Sequence, residues 1–255
     1  MSDAGCVGSN LRGERGLALL IAIAALFLMS TVTAALVLIT SVETAIAANY
    51  RNSVEALYAT DAIAERAIAE LATIPDWDML LAGLVSSSFI DGPPTGTRRL
   101  PGGATVDLTR AVSLANCGKP ITCTSADIAG NPTGDRPWGP DNPVWNLFAY
   151  GLLDAVLPTI DSPFYVLVMV AGDPSERAGN PARNSPADGN AGIEVISVRA
   201  EAFGLRDVHK VVELTVGRVR EREGQEGQDS REGQDGREGH DGVGPLCMLS
   251  WREVR

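Results

Sequence analysis

Two cysteines near the middle of the chain stand close enough in sequence to be joined by a disulfide. Cys117 and Cys123 bracket the segment GKPIT. A cysteine pair can also form half of a zinc site, but zinc needs a second pair of thiolate or imidazole ligands. Neither of the two histidines stands in ligand spacing to another such residue. We therefore expect a Cys117–Cys123 disulfide, which requires an oxidising compartment such as the periplasm. Free thiols and, behind them, a metal half-site are the alternatives.

The segment AGDPSERAGNPARNSPADGNAG carries carboxylate and amide side chains, whose oxygens are the ligands that calcium prefers. These side chains are Asp173, Glu176, Asn180, Asp188 and Asn190. Asp, Asn, Pro and Gly also form turns without any metal. The sequence favours the turn interpretation and leaves calcium as the alternative, and we expect no other cofactor.

No arrangement of residues in the chain matches a known catalytic motif. The sequence contains no nucleophile elbow, phosphate-binding loop, dinucleotide fingerprint or paired-histidine helix motif. We therefore predict that the protein is not an enzyme. Its formal net charge of −11 also argues against nucleic-acid binding, which needs a basic surface.

The first structural element that the sequence predicts is a long apolar run near the N-terminus. From Leu17 to Ser41 the chain has no charge, proline or glycine, and a membrane-spanning helix needs about 20 such residues. Its large apolar side chains favour insertion by about 4 to 8 kcal/mol. The run is too long for the apolar core of a cleaved secretory signal. Arg12 and Arg15 precede it, so the positive-inside rule places the N-terminus in the cytoplasm.

The apolar run continues into an amphipathic pattern with helical spacing. We predict one helix over residues 17–73, with residues 17–41 in the membrane and one face of the remainder packed against a globular head. Pro75 cannot continue the helix and ends it. The predicted packing face consists of Ile46, Tyr50, Val54, Leu57, Ala64, Ile68 and Leu71. The predicted polar face consists of Arg51, Asn52, Glu55, Glu65, Arg66 and Glu70.

Residues 74–255 are predicted to form a β-rich head. PPTGTRRLPGGATVDLTRAV indicates a hairpin with a turn near residues 101–103, and the turn-rich segment after it indicates an ordered loop. PFYVLVMVAG, GIEVISVRAEAFG, DVHKVVELTVGRV and LCMLSWREV indicate four strands of an antiparallel meander. With the helix, they predict an α+β fold in which the long helix packs on an antiparallel sheet.

Before the last strand, residues 220–244 form a tract of acidic, polar and glycine residues. From Gly224 to Gly242 glycine recurs at every third position except Ser230. Collagen has the same period, but the tract lacks the proline that collagen needs. Low hydrophobicity and high charge favour disorder. We expect an expanded hairpin loop, because long insertions into surface loops cost little stability.

The sequence has a glycine before an uncharged hydrophobic stretch, and a long predicted helix and a predicted β-rich head follow. This order of features resembles that of type IV pilins and the related pseudopilins. The resemblance implies that a prepilin peptidase cuts between Gly16 and Leu17, on the cytoplasmic side. Residues 1–16 would then be a leader. Gly13 is a poorer alternative site, because charged residues would precede the apolar run. In these families the retained helix first anchors the subunit and then packs into the filament core.

The mature chain would depart from most pilins at its fifth position. Most pilins carry Glu there, where it neutralises a neighbour's N-terminal amine, whereas this chain has Ile21. A buried amine without a partner is costly, so this subunit should repeat poorly along a filament. The departure argues against a major pilin and suits a rare subunit at the tip or in an initiating complex.

The stretch VETAIAANYRNSVEALYATDAIAERAIAEL resembles the N-terminal region of PilX-type minor pilins, and the resemblance covers about residues 12–72. Asp61 stands where those proteins usually carry Glu. The matching positions are Glu43, Asn49, Tyr50, Arg51, Ala59, Asp61 and Ala62.

The resemblance predicts a minor pilin that takes part in type IV pilus assembly. Expected partners are other minor and major pilins, the prepilin peptidase, the inner-membrane assembly platform and membrane lipid. The protein would cross the bacterial inner membrane once, with its head in the periplasm, before entering the pilus. A near alternative is the K-type minor pseudopilin of a type II secretion system, which usually carries a larger helical insertion. The alternative of another class is a single-pass, membrane-anchored periplasmic binding or enzymatic domain.

Overall fold

The protein is described by a computed structural model that covers residues 14–130, 142–159, 161–174, 193–220 and 243–254. The chain divides into two compact units, Met1–Arg51 and Asn52–Arg255. The second unit contains the sheet and both hydrophobic cores.

Helix α1 runs from Glu14 to Leu71. It starts three residues before the predicted helix and ends two residues earlier. The chain leaves the helix through tighter turns, in which the Thr73 amide donates to Glu70 and the Ile74 amide to Leu71. Pro75 follows directly, so α1 ends just before the proline, within two residues of the predicted end.

The remaining elements are short helices and the strands of two sheets. The helices are α2 (Trp77–Leu81), α3 (Leu108–Cys117), α4 (Ser125–Gly130) and α5 (Leu153–Val156). The strands are β1 (Thr97–Arg99), β2 (Thr105–Asp107), β3 (Asn146–Leu152), β4 (Tyr165–Gly172), β5 (Ile193–Phe203), β6 (His209–Arg220) and β7 (Val243–Val254).

Strands β3 to β7 form one antiparallel sheet in which each strand pairs with the next one along the chain. The predicted meander is therefore confirmed, as is the α+β layout with a long apolar N-terminal helix. Strand β3 adds a fifth strand that the sequence analysis did not identify. Its outer edge is covered by residues 87–91, whose amides and carbonyls exchange hydrogen bonds with Phe148 and Tyr150.

The predicted hairpin is present but shorter than expected. Strands β1 and β2 pair over three residues each, whereas the segment LTRAV, predicted as strand, is the start of helix α3. Two end signals explain the difference. The Asp107 side chain accepts a hydrogen bond from the Arg110 amide, and Gly118 adopts a left-handed conformation (φ 68°) at the C-terminal end.

Both faces of the large sheet are covered, at least in part. On one face, the last turns of α1 and helix α2 pack on inward-facing residues of β4, β5 and β6. On the other face, α3 and the β1–β2 hairpin pack on β3 and β4. The second layer was not predicted, since its helix was read as a strand and a loop.

Candidate functional site

The first part of α1, within the unit Met1–Arg51, is an uninterrupted apolar surface. Every side chain from Leu17 to Val42 is exposed, and the most apolar window has a mean hydropathy of 2.5. Among the described residues this is the one helix long and apolar enough to cross a membrane. A membrane anchor and a signal sequence share these properties, so the helix is weak evidence for a membrane location.

The hydroxyl groups of this segment are satisfied within the helix itself. Thr31, Thr33 and Thr40 donate to backbone carbonyls three or four residues earlier, at 2.8 to 2.9 Å. An unsatisfied hydroxyl in hydrocarbon would cost several kcal/mol. These three hydroxyls are therefore satisfied without water, as a lipid environment demands.

The predicted processing residues lie in the first turn of α1. Gly16 is in the helix and has no atom near the position of a side chain, and Leu17 is exposed. Residues 1–13 of the expected leader lie outside the described residues. Cleavage between Gly16 and Leu17 stays a prediction.

The PilX-like positions divide between the two units. Glu43, Asn49, Tyr50 and Arg51 are exposed positions of α1 in the unit Met1–Arg51. Ala59 is buried in the core beneath α1. The structure thus does not gather these residues into one site.

Asp61 makes a specific contact with the last strand. Its Oδ1 accepts a hydrogen bond of 3.2 Å from the indole N–H of Trp251 in β7. Tyr58 lies one turn earlier on α1 and is exposed, as are Met248 and about half of Trp251. The contact joins the PilX-like segment to the C-terminal segment LSWREV, a link that sequence reasoning did not foresee.

The face of α1 that packs on the sheet agrees with the predicted one at Ala64 and Leu71 and is rotated from it at the other large apolar positions. Ile46 and Tyr50 are exposed, whereas Val54, Leu57 and Ile68 are only partly buried. Small side chains predominate at the enclosed positions of α1, and four of the seven are alanine. The buried positions are Ala56, Ala59, Thr60, Ile63, Ala64, Ala67 and Leu71.

Glu70, predicted on the polar face, ties the end of α1 to the segment that covers β3. Its carboxylate accepts hydrogen bonds from the Ser87 hydroxyl at 2.5 Å and the Ser88 amide at 2.6 Å. Burial alone would raise the pKa of Glu70, but these hydrogen bonds outweigh it and lower the pKa. The carboxylate therefore stays charged at neutral pH.

A buried cation lies just beyond the end of α1. The Arg218 guanidinium donates to Glu194 at 2.5 Å and to the carbonyls of Ile74 and Pro75 at 2.5 and 2.7 Å. It also lies over the ring of Trp77, 4.1 Å from the centroid. The side chains of Arg218 and Glu194 are 2% and 4% exposed.

A chain of alternating charges crosses the face of the sheet opposite α1. Glu213 pairs with both Arg252 and Arg199, Arg199 pairs with Glu201, and Glu201 contacts the imidazole of His209, at 2.5 to 2.8 Å. His209 stacks on the ring of the adjacent Phe203, with the ring centroids 4.3 Å apart. These side chains extend from three neighbouring strands, so the network joins β5, β6 and β7.

The network keeps a buried carboxylate ionised. Burial would raise the pKa of Glu201, but the hydrogen bond from His209 and the charge of Arg199 together lower it. Burial would likewise lower the pKa of Arg199, whereas its two carboxylate partners raise it. The chemistry of this cluster is structural pairing, since every member faces an opposite charge or an imidazole.

The structure joins Cys117 and Cys123 by a disulfide, as the sequence analysis expected. Cys247 is a free, exposed thiol on β7.

Of the possible calcium ligands, only Asp173 is described, and its carboxylate accepts a hydrogen bond from Ser197. Glu176, Asn180, Asp188 and Asn190 lie outside the described residues, as do residues 221–242 of the tract before β7. Within the described part of the chain, no group of three or more His, Cys, Asp or Glu residues could hold a metal ion.

Sequence reasoning missed the pair Arg218–Glu194, although a signal was present. The two residues face each other in the β5–β6 register, and both stand the same number of residues from the turn between these strands. Counting outward from the turn would have placed them opposite each other.

Comparison of the chain with protein-family models, with curated proteins and with solved structures finds no match. The likeness to PilX-type minor pilins therefore rests on the residues named above.

Proposed function

We propose that the protein is a minor pilin of the PilX type that takes part in type IV pilus assembly, as an initiating, tip or rare filament subunit. The observation that carries the proposal is helix α1. One helix of 58 residues contains an exposed, uncharged segment from Leu17 to Val42 and ends buried on an antiparallel sheet. This combination serves a subunit that is first held in lipid and later held by the helices of its neighbours.

Two further features support the proposal. Asp61, which takes the place of the family's Glu, accepts the hydrogen bond of Trp251, so this segment has a role in docking α1. Ile21 is exposed on α1 and leaves the segment from Leu17 to Val42 without an acid. A subunit without that acid suits a position in the filament that is not repeated.

A second candidate is a single-pass, membrane-anchored periplasmic domain. It is favoured by the same apolar segment, which is as fit to stay in a bilayer as to leave it. The two candidates differ in processing and in location, since a simple anchor keeps its N-terminus and never enters a filament.

The test is to recover surface filaments from cells that make the tagged chain, and to compare Gly16→Val with Gly13→Val. We expect the wild-type chain and the Gly13 variant in the filaments and the Gly16 variant only in the membrane. Filaments that consistently lack the wild-type chain would contradict the pilin proposal and leave the anchored domain.

A further inference from the structure

The side chains that α1 packs on the sheet do little to fix where the helix lies along its own axis. Six apolar side chains of α1 belong to the core, and four of them are alanine: Ala56, Ala59, Ala64 and Ala67. The opposing surface of β4, β5 and β6 is nearly uniform, since it consists of Val, Ile, Leu and Ala. The four alanines leave little relief, and the two larger side chains, Ile63 and Leu71, belong to the same apolar core. A slide of α1 by one turn would therefore exchange one set of apolar contacts for another of similar chemistry.

The Arg218 guanidinium is the feature that distinguishes one position from the next. Its acceptors Ile74 and Pro75 directly follow α1, and its third acceptor, Glu194, belongs to β5. A slide by one turn moves the end of α1 by about 5.4 Å. Both backbone carbonyls would then leave the guanidinium, while the cation stayed buried on the sheet.

We propose that the buried pair Arg218–Glu194 is a conformational lock that fixes the position of α1 along the sheet. Replacing a buried ion pair by apolar residues of similar size is often neutral for stability. A buried charge nevertheless penalises any arrangement that leaves it without its partners. The pair therefore selects one docking position by destabilising the others.

Two other ties between α1 and the head are less selective. The bond between Asp61 and Trp251 is exposed to solvent, so water can replace it after a slide. Glu70 contacts Ser87 and Ser88 in a segment outside the large sheet. Among these three ties, which all lie in the described part of the chain, only the Arg218 cation is both buried and anchored in a strand of that sheet.

The lock can be tested by distance measurement between spin labels on the full chain in detergent. One label occupies the native Cys247 on β7 and the other a cysteine introduced by Glu65→Cys at an exposed position of α1, in a Cys6→Ser background. We expect a single narrow distance for the parent chain. Combining Arg218→Met with Glu194→Leu should broaden the distribution or add a second peak, with little change in melting temperature.

The matched control is Arg252→Met, which removes a cation from the exposed end of the charge network and should keep the narrow distance. A folded double variant with one unchanged distance would overturn the proposal. If the double variant does not fold, Arg218→Gln combined with Glu194→Gln decides, because the two amides remove both buried charges but keep polar side chains that can hydrogen-bond. A broadened distance supports the lock, and an unchanged narrow distance overturns it.

Discussion

At the scale of single residues, charge pairing on the sheet does two different tasks. Arg218 and Glu194 are enclosed on the α1 side, whereas Arg252 lies at the exposed end of the network on the other side. Breaking a buried ion pair costs more free energy than breaking an exposed one, because water cannot solvate the charge that remains in the buried site. The pair Arg218–Glu194 and the network that includes Arg252 both place charged residues within strands, and a hydrophobic pattern alone does not explain them.

Arg218→Ala should reduce the free energy of unfolding by about 3 to 5 kcal/mol, because Glu194 would keep a buried charge without the guanidinium. Urea unfolding followed by circular dichroism measures the loss. The control Arg252→Ala should cost no more than about 1 kcal/mol, as exposed pairs do. Equal losses in the two variants would show that the burial of Arg218 has no energetic consequence.

Glu201 should make the fold sensitive to acid. The pKa of Glu201 is lower in the folded state than in the unfolded chain. Its contribution to the free energy of unfolding is therefore fully present above the pKa of the unfolded chain, about 4.3. That contribution is lost as the pH falls through the folded pKa.

Glu201→Gln should cost about 2 kcal/mol at pH 7 through weakened charged hydrogen bonds and should flatten the loss of stability below pH 4. Thermal unfolding between pH 7 and pH 3 tests both effects, with Glu65→Gln as the exposed control. A wild-type and a Glu201→Gln profile of the same shape would be evidence against the assigned role.

At the scale of elements, the strongest sequence signals lead to the correct structure. The absence of glycine and proline from Leu17 to Ile74 predicts α1, and the β-branched runs predict β4 to β7. The short elements were missed for physical reasons. Helix α3 is marked in the sequence by its capping residues, Asp107 and Gly118, and not by a long repeat of apolar residues. Helix α2 is only about one turn long.

The docking face of α1 could not be predicted from large apolar side chains. The alanines that touch the sheet carry a weak hydrophobic signal, while Ile46 and Tyr50 carry a strong one and lie in the other unit. Long-range pairs such as Asp61 with Trp251 depend on how distant segments meet, which periodicity does not contain. The charge network likewise became visible only with the strand register.

The disulfide closes a short loop between the end of α3 and the start of the segment that leads to α4. Removing it by Cys117→Ala with Cys123→Ala should cost about 2 kcal/mol of unfolding free energy, as the entropy of a small loop requires. Urea unfolding of the variant and of the reduced wild type should agree. An unfolding midpoint that neither change moves would mean that the bridge does not constrain the unfolded chain.

At the scale of the whole molecule, two units carry two separate physical demands. The unit Asn52–Arg255 contains its own cores on both faces of the sheet. The unit Met1–Arg51 contains the exposed apolar part of α1, which needs lipid or other helices to cover it. The proposed function requires both, because a pilin must be held in a membrane before it is held in a filament.

A fragment that starts at Asn52 should fold and stay soluble without detergent, with one cooperative unfolding transition. Its near-ultraviolet circular dichroism, which reports Trp77 and the other buried aromatic residues, should match that of the full chain in detergent. A fragment that aggregates or lacks tertiary signal would show that the first unit is needed for folding.

The central claim is that the apolar start of α1 survives processing and becomes the N-terminus of the mature protein. Intact-mass spectrometry of the chain from membranes that contain the prepilin peptidase tests this claim most directly. The account predicts a chain that begins at Leu17 and contains every residue of the apolar run. A chain that retains Met1, or one that begins beyond Ser41, would contradict it.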